Sequence, residues 1–169
     1  MAKTTETQIA DLKKKLEDKF GSITSKKNML KLGKHLVTDM QTRIRLGYGA
    51  PTQLGKRQSL KSLKNHSPAY KRYRKKNRSK LDSSTRPAKQ NLTFTGQLVR
   101  DLRVLKATKS NFLIGHSKKK RTGETLTNRR LSGFVQLQGR PYMNVTNLEF
   151  KRLLRFYQNE IIKPILSKI

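Results

Sequence analysis

Lys56, Arg57, Lys61, Lys64, Lys71, Arg72, Arg74, Lys75, Lys76, Arg78 and Lys80 put eleven positive charges into one short stretch, and no Asp or Glu occurs from Met40 to Leu81. The chemistry open to such a run is electrostatic. It attracts phosphates or carboxylates, and it repels itself until a partner neutralises it. A basic loop over 50–90, extended or mobile on its own, is therefore expected to lie against DNA or an acidic protein surface. A second run, Lys118, Lys119, Lys120 and Arg121, extends the same expectation. Tyr70 and Tyr73 sit inside the first run, where their rings either stack on bases or anchor a short helical turn to the body. Over the whole chain, 40 Lys and Arg against 10 Asp and Glu give a formal charge of +30, which makes polyanions the natural partners.

Other site chemistries find little support. The ten carboxylates are scattered and no pair stands out as general acid and base, so no catalytic residue is expected. His35, His66 and His116 lie far apart in sequence without carboxylates at ligand spacing, so neither a metal site nor a cofactor is expected. Cysteine is absent, which removes disulfides, thiolate metal sites and thiol catalysis. Gly47-Tyr48-Gly49-Ala50 lacks the Gly-Lys-Ser/Thr ending of a phosphate loop and reads as a helix stop followed by a turn. No apolar run approaches the roughly 18 residues of a membrane span, and Met1 to Phe20 alternates charge with sparse apolar residues. The expectation is a soluble protein made in a cytoplasm, with no membrane partner.

The elements that must carry these residues follow from periodicity. A chain of 169 residues is expected to form one domain, 1–169. Ile9, Leu12, Leu16 and Phe20 give a helical stripe that Gly21 should end; Met29, Leu32, Leu36, Val37, Met40 and Ile44 give a second, ended by Gly47 and Gly49. Residues 1–47 thus read as a helical hairpin or one kinked arm. Within 91–169, Leu98, Leu102, Val104 and Leu105 and then Phe112, Leu113 and Ile114 suggest two strands about a turn at Ala107-Thr108-Lys109-Ser110, although Leu98, Leu102 and Leu105 also fit a helix. Leu131, Phe134, Val135 and Leu137 make a short amphipathic segment. Thr146 and Glu149 have capping-box spacing, so a helix should start near Asn147, bury Phe150, Leu153, Leu154, Tyr157 and Ile161, and be disrupted or end at Pro164. The whole reads as α+β: a small, mostly antiparallel sheet flanked by helices, with an N-terminal helical hairpin or arm and a long C-terminal helix.

Two segments bear a resemblance to a known family. Asn91, Leu92, Thr93, Phe94, Thr95, Gly96, Gln97 and Leu98 are followed by Gly139, Arg140, Pro141, Tyr142 and Met143 and then the closing helix. Upstream, Thr42 to Gly49 ends a helix and Leu63 to Tyr70 leads through the basic run to Thr85-Arg86-Pro87. In this order and spacing the chain resembles the virion-morphogenesis family of tailed bacteriophages. The resemblance implies a structural role: tail completion or head–tail joining, in a tail-terminator-like ring at the neck around the DNA channel. It also implies that the protein's partners are further copies of itself, in a hexamer or with a dodecamer as the alternative, together with connector-side and tail proteins and DNA in the channel. Its place would be the virion neck or the head-proximal end of the tail. The family is also where a helix lying on the sheet is expected over Leu126 to Leu137.

The residues of these motifs carry structural readings. Gly96 supplies either a positive φ or a close backbone approach. Thr93 and Thr95 share one side of an extended segment. Arg140, held extended by Pro141, is either an intramolecular partner of Asp101 or Glu149 or a contact to a neighbouring subunit's carboxylate. Tyr142 and Met143 read as core. The competing class is a ribosomal-type or other RNA- or DNA-binding basic protein, which fits the charge but for which no RNA-module signature is recognisable.

Overall fold

A computed structural model describes residues 14–15, 17–18, 20–50, 61–63, 65–80, 96–117, 127–137 and 142–167. The central element is α1, Lys26–Arg45. Ser25, extended at φ −79° and ψ 150°, caps it by accepting from the Asn28 N–H at 3.2 Å. The expected stripe of Met29, Leu32, Leu36, Val37, Met40 and Ile44 is buried. The helix ends where Gly47 adopts φ 88°, with the N–H groups of Leu46 and Gly47 closing back onto the carbonyls of Thr42 and Ile44. Gly21 does not end the preceding helix: residues 20–23 are helical, and the break falls at Thr24 and Ser25. Glycine weakens a helix interior but still adopts helical dihedrals, whereas an extended Ser25 cap breaks it outright.

Two antiparallel ribbons accompany α1. In the first, β1 (Tyr48–Gly49) pairs with β2 (Lys61–Ser62). In the second, β3 (Arg103–Ala107) pairs with β4 (Phe112–Gly115), with a bulge between Val104 and Lys106. The hairpin closes through Thr108, whose N–H donates to the Asn111 carbonyl at 2.8 Å and whose hydroxyl accepts from the Asn111 N–H at 3.1 Å. Gly33 lets α1 lie close on this ribbon, since a Cβ there would stand 2.7 Å from Val104 Cγ2.

Between the ribbons in sequence lie two further helices, α2 at Pro68–Lys76 and α3 at Gln97–Arg100. The latter settles the ambiguity at Leu98 and Leu102: a short helix precedes the strand. The former corrects the expectation of an extended loop, because Ser67 and Pro68 start a helix inside the basic run, and a 3-10 turn at Arg78–Lys80 follows.

The C-terminal part comprises α4 (Asn128–Leu137), α5 (Asn147–Tyr157), a π turn (Gln158–Ile162) and α6 (Lys163–Leu166). Pro164 is therefore carried inside a continuing helical run, with the wider π turn next to a ring that offers no N–H. The main core joins Leu36, Val37, Met40, Ile44, Leu98, Val99, Leu102 and Tyr142, and a second cluster joins Ile23, Met29, Leu32 and Ile161.

Two expected buried faces are rotated. On α4, Leu131 and Val135 reach the core while Phe134 and Leu137 are exposed. On α5 and the π turn after it, Leu153, Tyr157 and Ile161 pack inward as expected and Phe156 joins them, while Phe150 and Leu154 face out, at 53% and 44% exposure. The cause is Glu149. It is buried, and residues four and seven positions beyond it, Leu153 and Phe156, share its face.

Candidate functional site

The basic helix α2 is braced by side chains of its own segment. Ser67 accepts from the Tyr70 N–H at 3.2 Å. Arg74 is 0% exposed and its guanidinium lies against Nε2 of the buried His66 imidazole. The Tyr70 ring meets His66 edge-on at 4.9 Å and lies 5.9 Å from the Arg74 guanidinium. Arg74 is thus buried and not one of the expected polyanion contacts, because its guanidinium does not reach the surface. Arg72, Lys75, Lys76, Arg78 and Lys80 are exposed, and Lys71 is half-buried. With Arg74, Lys75 and Lys76 in the last turn, three cations sit where the helix dipole favours them.

The two tyrosines differ in their neighbours. Tyr70 packs on His66 and Arg74, both within its own segment, and remains exposed. Tyr73 stacks on Tyr70 with ring centroids 6.1 Å apart and an interplanar angle of 17°, and it is half exposed. Residues three and four apart share a helix face, so Arg72 and Lys76 form a column beside Tyr73.

Of the family-motif residues, Gly96, Leu98 and Tyr142 are described. Gly96 has φ 70° and begins α3, which selects the positive-φ explanation. Leu98 and Tyr142 are core residues, as expected for Tyr142, and Met143 packs half-buried against them. Asn91, Leu92, Thr93, Thr95, Gly139, Arg140 and Pro141 lie outside the described residues, as do Lys56, Arg57, Lys118, Lys119, Lys120 and Arg121.

Around Tyr142 the structure assembles a polar interior that sequence reasoning did not find. Arg43 Nε donates to Glu149 Oε1 at 2.7 Å, and Nη2 donates to the carbonyls of Tyr142 and Asn144 at 2.9 Å each. The capping box at the start of α5 holds the other carboxylate oxygen: the Thr146 N–H and hydroxyl both donate to Glu149 Oε2 at 2.8 Å. Below it, the Tyr142 hydroxyl lies 2.9 Å from His116 Nε2, and His116 Nδ1 lies 4.0 Å from Asp101 Oδ2. At 4.0 Å the Asp101 carboxylate is beyond hydrogen-bond reach of Nδ1, so it acts on the ring through its charge.

Burial pushes the His116 imidazole down to about 4, and the nearby Asp101 charge offsets part of that. Burial raises the Tyr142 phenol, opposed by a hydrogen bond with Ser132. Burial alone would raise Asp101 too, but hydrogen bonds from the Ser117 side chain and backbone and from Asn128, with the Arg103 charge, outweigh it and hold the carboxyl below its ordinary value. Asp, His and Tyr in sequence of contact have the residue types of a proton relay. His116 and Tyr142 are buried, however, so this set binds interior elements to one another.

His35 stacks on Phe156 at 4.2 Å and stands 3.9 Å from Asp39. No group of three metal-ligating side chains gathers among the described residues, and no helix among them is long and apolar enough to cross a membrane. The one sequence signal for the interior pair was Arg43, three residues after Met40 and seven after Leu36, a charge standing at a stripe position. No protein-family model, curated protein or solved structure matches the chain.

Proposed function

We propose that this chain is a structural protein of a tailed-bacteriophage virion, a ring-forming neck or tail-completion component that joins the head connector to the tail around the DNA channel. The observation that carries the reading is the ordered pair of motifs, Asn91 to Leu98 and Gly139 to Met143, ahead of a capped closing helix. The positive φ of Gly96 and the burial of Tyr142 agree with architectural roles for the two motifs. Outward-facing Phe134, Leu137, Phe150 and Leu154 are residues that neighbouring subunits or tail proteins would cover. A charge of +30 on each subunit opposes ring closure, so acidic neighbours or DNA must compensate it in the assembled neck.

The test is deletion of the coding sequence from the phage or prophage that encodes it, followed by electron microscopy of the lysate. Filled heads and separate tails, rejoined when the protein is supplied in trans, are expected. Normal virions, or a coding sequence that belongs to no phage genome, would overturn the reading.

A further inference from the structure

We propose that α2 is a binding element for single-stranded nucleic acid, with Tyr73 as the base-stacking ring and Arg72 and Lys76 as phosphate contacts. The inference goes beyond the virion reading, since it stands on this helix alone and holds wherever the chain works.

Three observations combine. First, the helix is ordered within its own segment: the Ser67 cap starts it, the buried Arg74 guanidinium meets the His66 ring just ahead of it, and Tyr70 packs against both side chains. A pre-ordered surface loses less freedom on binding than a loop that must fold around its ligand. Second, the outward face offers an aromatic ring and cations together. Tyr73 is 50% exposed and is backed on one side by Tyr70, so the pair forms a platform whose outer part meets solvent. Lys76, one helical turn on from Tyr73, and Arg72, its neighbour in sequence, are exposed.

Third, the helix and the 3-10 turn after it contain no acidic residue, and Arg78 and Lys80 continue the positive track. A ring that stacks on bases, set beside charges that follow a phosphate backbone, is the arrangement used for single strands, whose bases are free to leave the stack. A duplex or an acidic protein would satisfy the cations. Neither gives the tyrosine an unstacked base to meet.

The experiment uses the full chain and fluorescence anisotropy with a 20-nucleotide single strand, the duplex of the same sequence, and polyglutamate, each across a salt series. The single strand should bind most tightly. Tyr73→Ala should weaken that binding by about tenfold, with Tyr73→Phe retaining most of it, because the ring and not the hydroxyl does the stacking. Changing Arg72 and Lys76 together to Gln should lower the slope of log affinity against log salt by about 1.4, from the release of roughly 0.7 counterion per neutralised phosphate. Unchanged binding of the single strand by Tyr73→Ala would overturn the proposal. So would equal or tighter binding of the duplex, which would indicate backbone attraction alone, or of polyglutamate, which would indicate an acidic protein partner.

Discussion

Arg43 and Glu149, 106 residues apart in sequence, meet at 2.7 Å with both side chains buried, and the same guanidinium holds the carbonyls of Tyr142 and Asn144. One arginine therefore ties α1 to the segment that enters α5 and to the first turn of α5 itself. Removing one partner leaves the other as an uncompensated buried charge. Arg43→Ala or Glu149→Ala should each cost about 3 kcal/mol or more of unfolding free energy. The double change to Met and Leu, which removes both charges and keeps volume, should cost clearly less than the sum of the two single changes. Urea unfolding of the four proteins measures the difference.

Acid should loosen the interior at His116. Its folded value, about 4, lies below the ordinary 6.5, so between these the unfolded chain binds the proton and the native chain does not. Stability from this group is then full above about 6.5 and falls as the pH drops toward 4, by about 3 kcal/mol at most. Asp101 works in a lower window, because a depressed carboxyl loses its contribution only as the pH falls below the ordinary carboxylate range. Denaturation midpoints of the wild type and His116→Gln from pH 7.5 to 4.5 should diverge, with the variant's profile the flatter. Parallel profiles would remove His116 as the cause.

Gly96 holds φ 70°, a region where an L side chain is strained. Gly96→Ala should destabilise by about 1 kcal/mol and Gly96→Val by more, while Gly96→Asn retains most of the stability. Thermal unfolding of the three variants reads this order directly. A Val variant as stable as the wild type would show that the positive φ is dispensable.

Phe150 and Leu154 face outward from α5, so their replacement by Ser should alter unfolding free energy by no more than about 0.5 kcal/mol each. If neighbouring subunits cover them, the same variant should fail to enter the ring, as judged by sedimentation and by incorporation into virions. Arg140→Ala should likewise leave a soluble subunit with weakened incorporation if its partner is on another chain. Normal incorporation with a less stable monomer would favour an intramolecular pair. Asp101 already receives Ser117 and Arg103, and Glu149 already receives Arg43 and Thr146.

Local chemistry was legible at most positions where neighbours in sequence decide it, the helix end expected at Gly21 being the exception. The stripe from Met29 to Ile44, the stop at Gly47, the Thr146–Glu149 box and the hairpin about Thr108 all depend on spacing within a few residues, and all stand as read. The α+β class followed from those elements together. Positive charge as the dominant surface chemistry was equally plain, since +30 is a property of composition.

Tertiary structure decided what spacing leaves open. Phe150 and Leu154 scored as core on apolar character, yet the buried Arg43–Glu149 pair turns that helix so that Leu153 and Phe156 pack inward. Arg74 counted as one cation among eleven, yet it is fully buried with its guanidinium on the His66 ring. Tyr70 and Tyr73 are the same residue type three positions apart, and the structure sets Tyr70 edge-on to His66 while Tyr73 stacks on Tyr70. The sequence by itself determined the elements and their charge, because those depend on local dihedral preferences and on residue counts. Which polar side chains turn inward was decided by the fold, because a buried charge is tolerable only beside a partner that long-range packing brings to it.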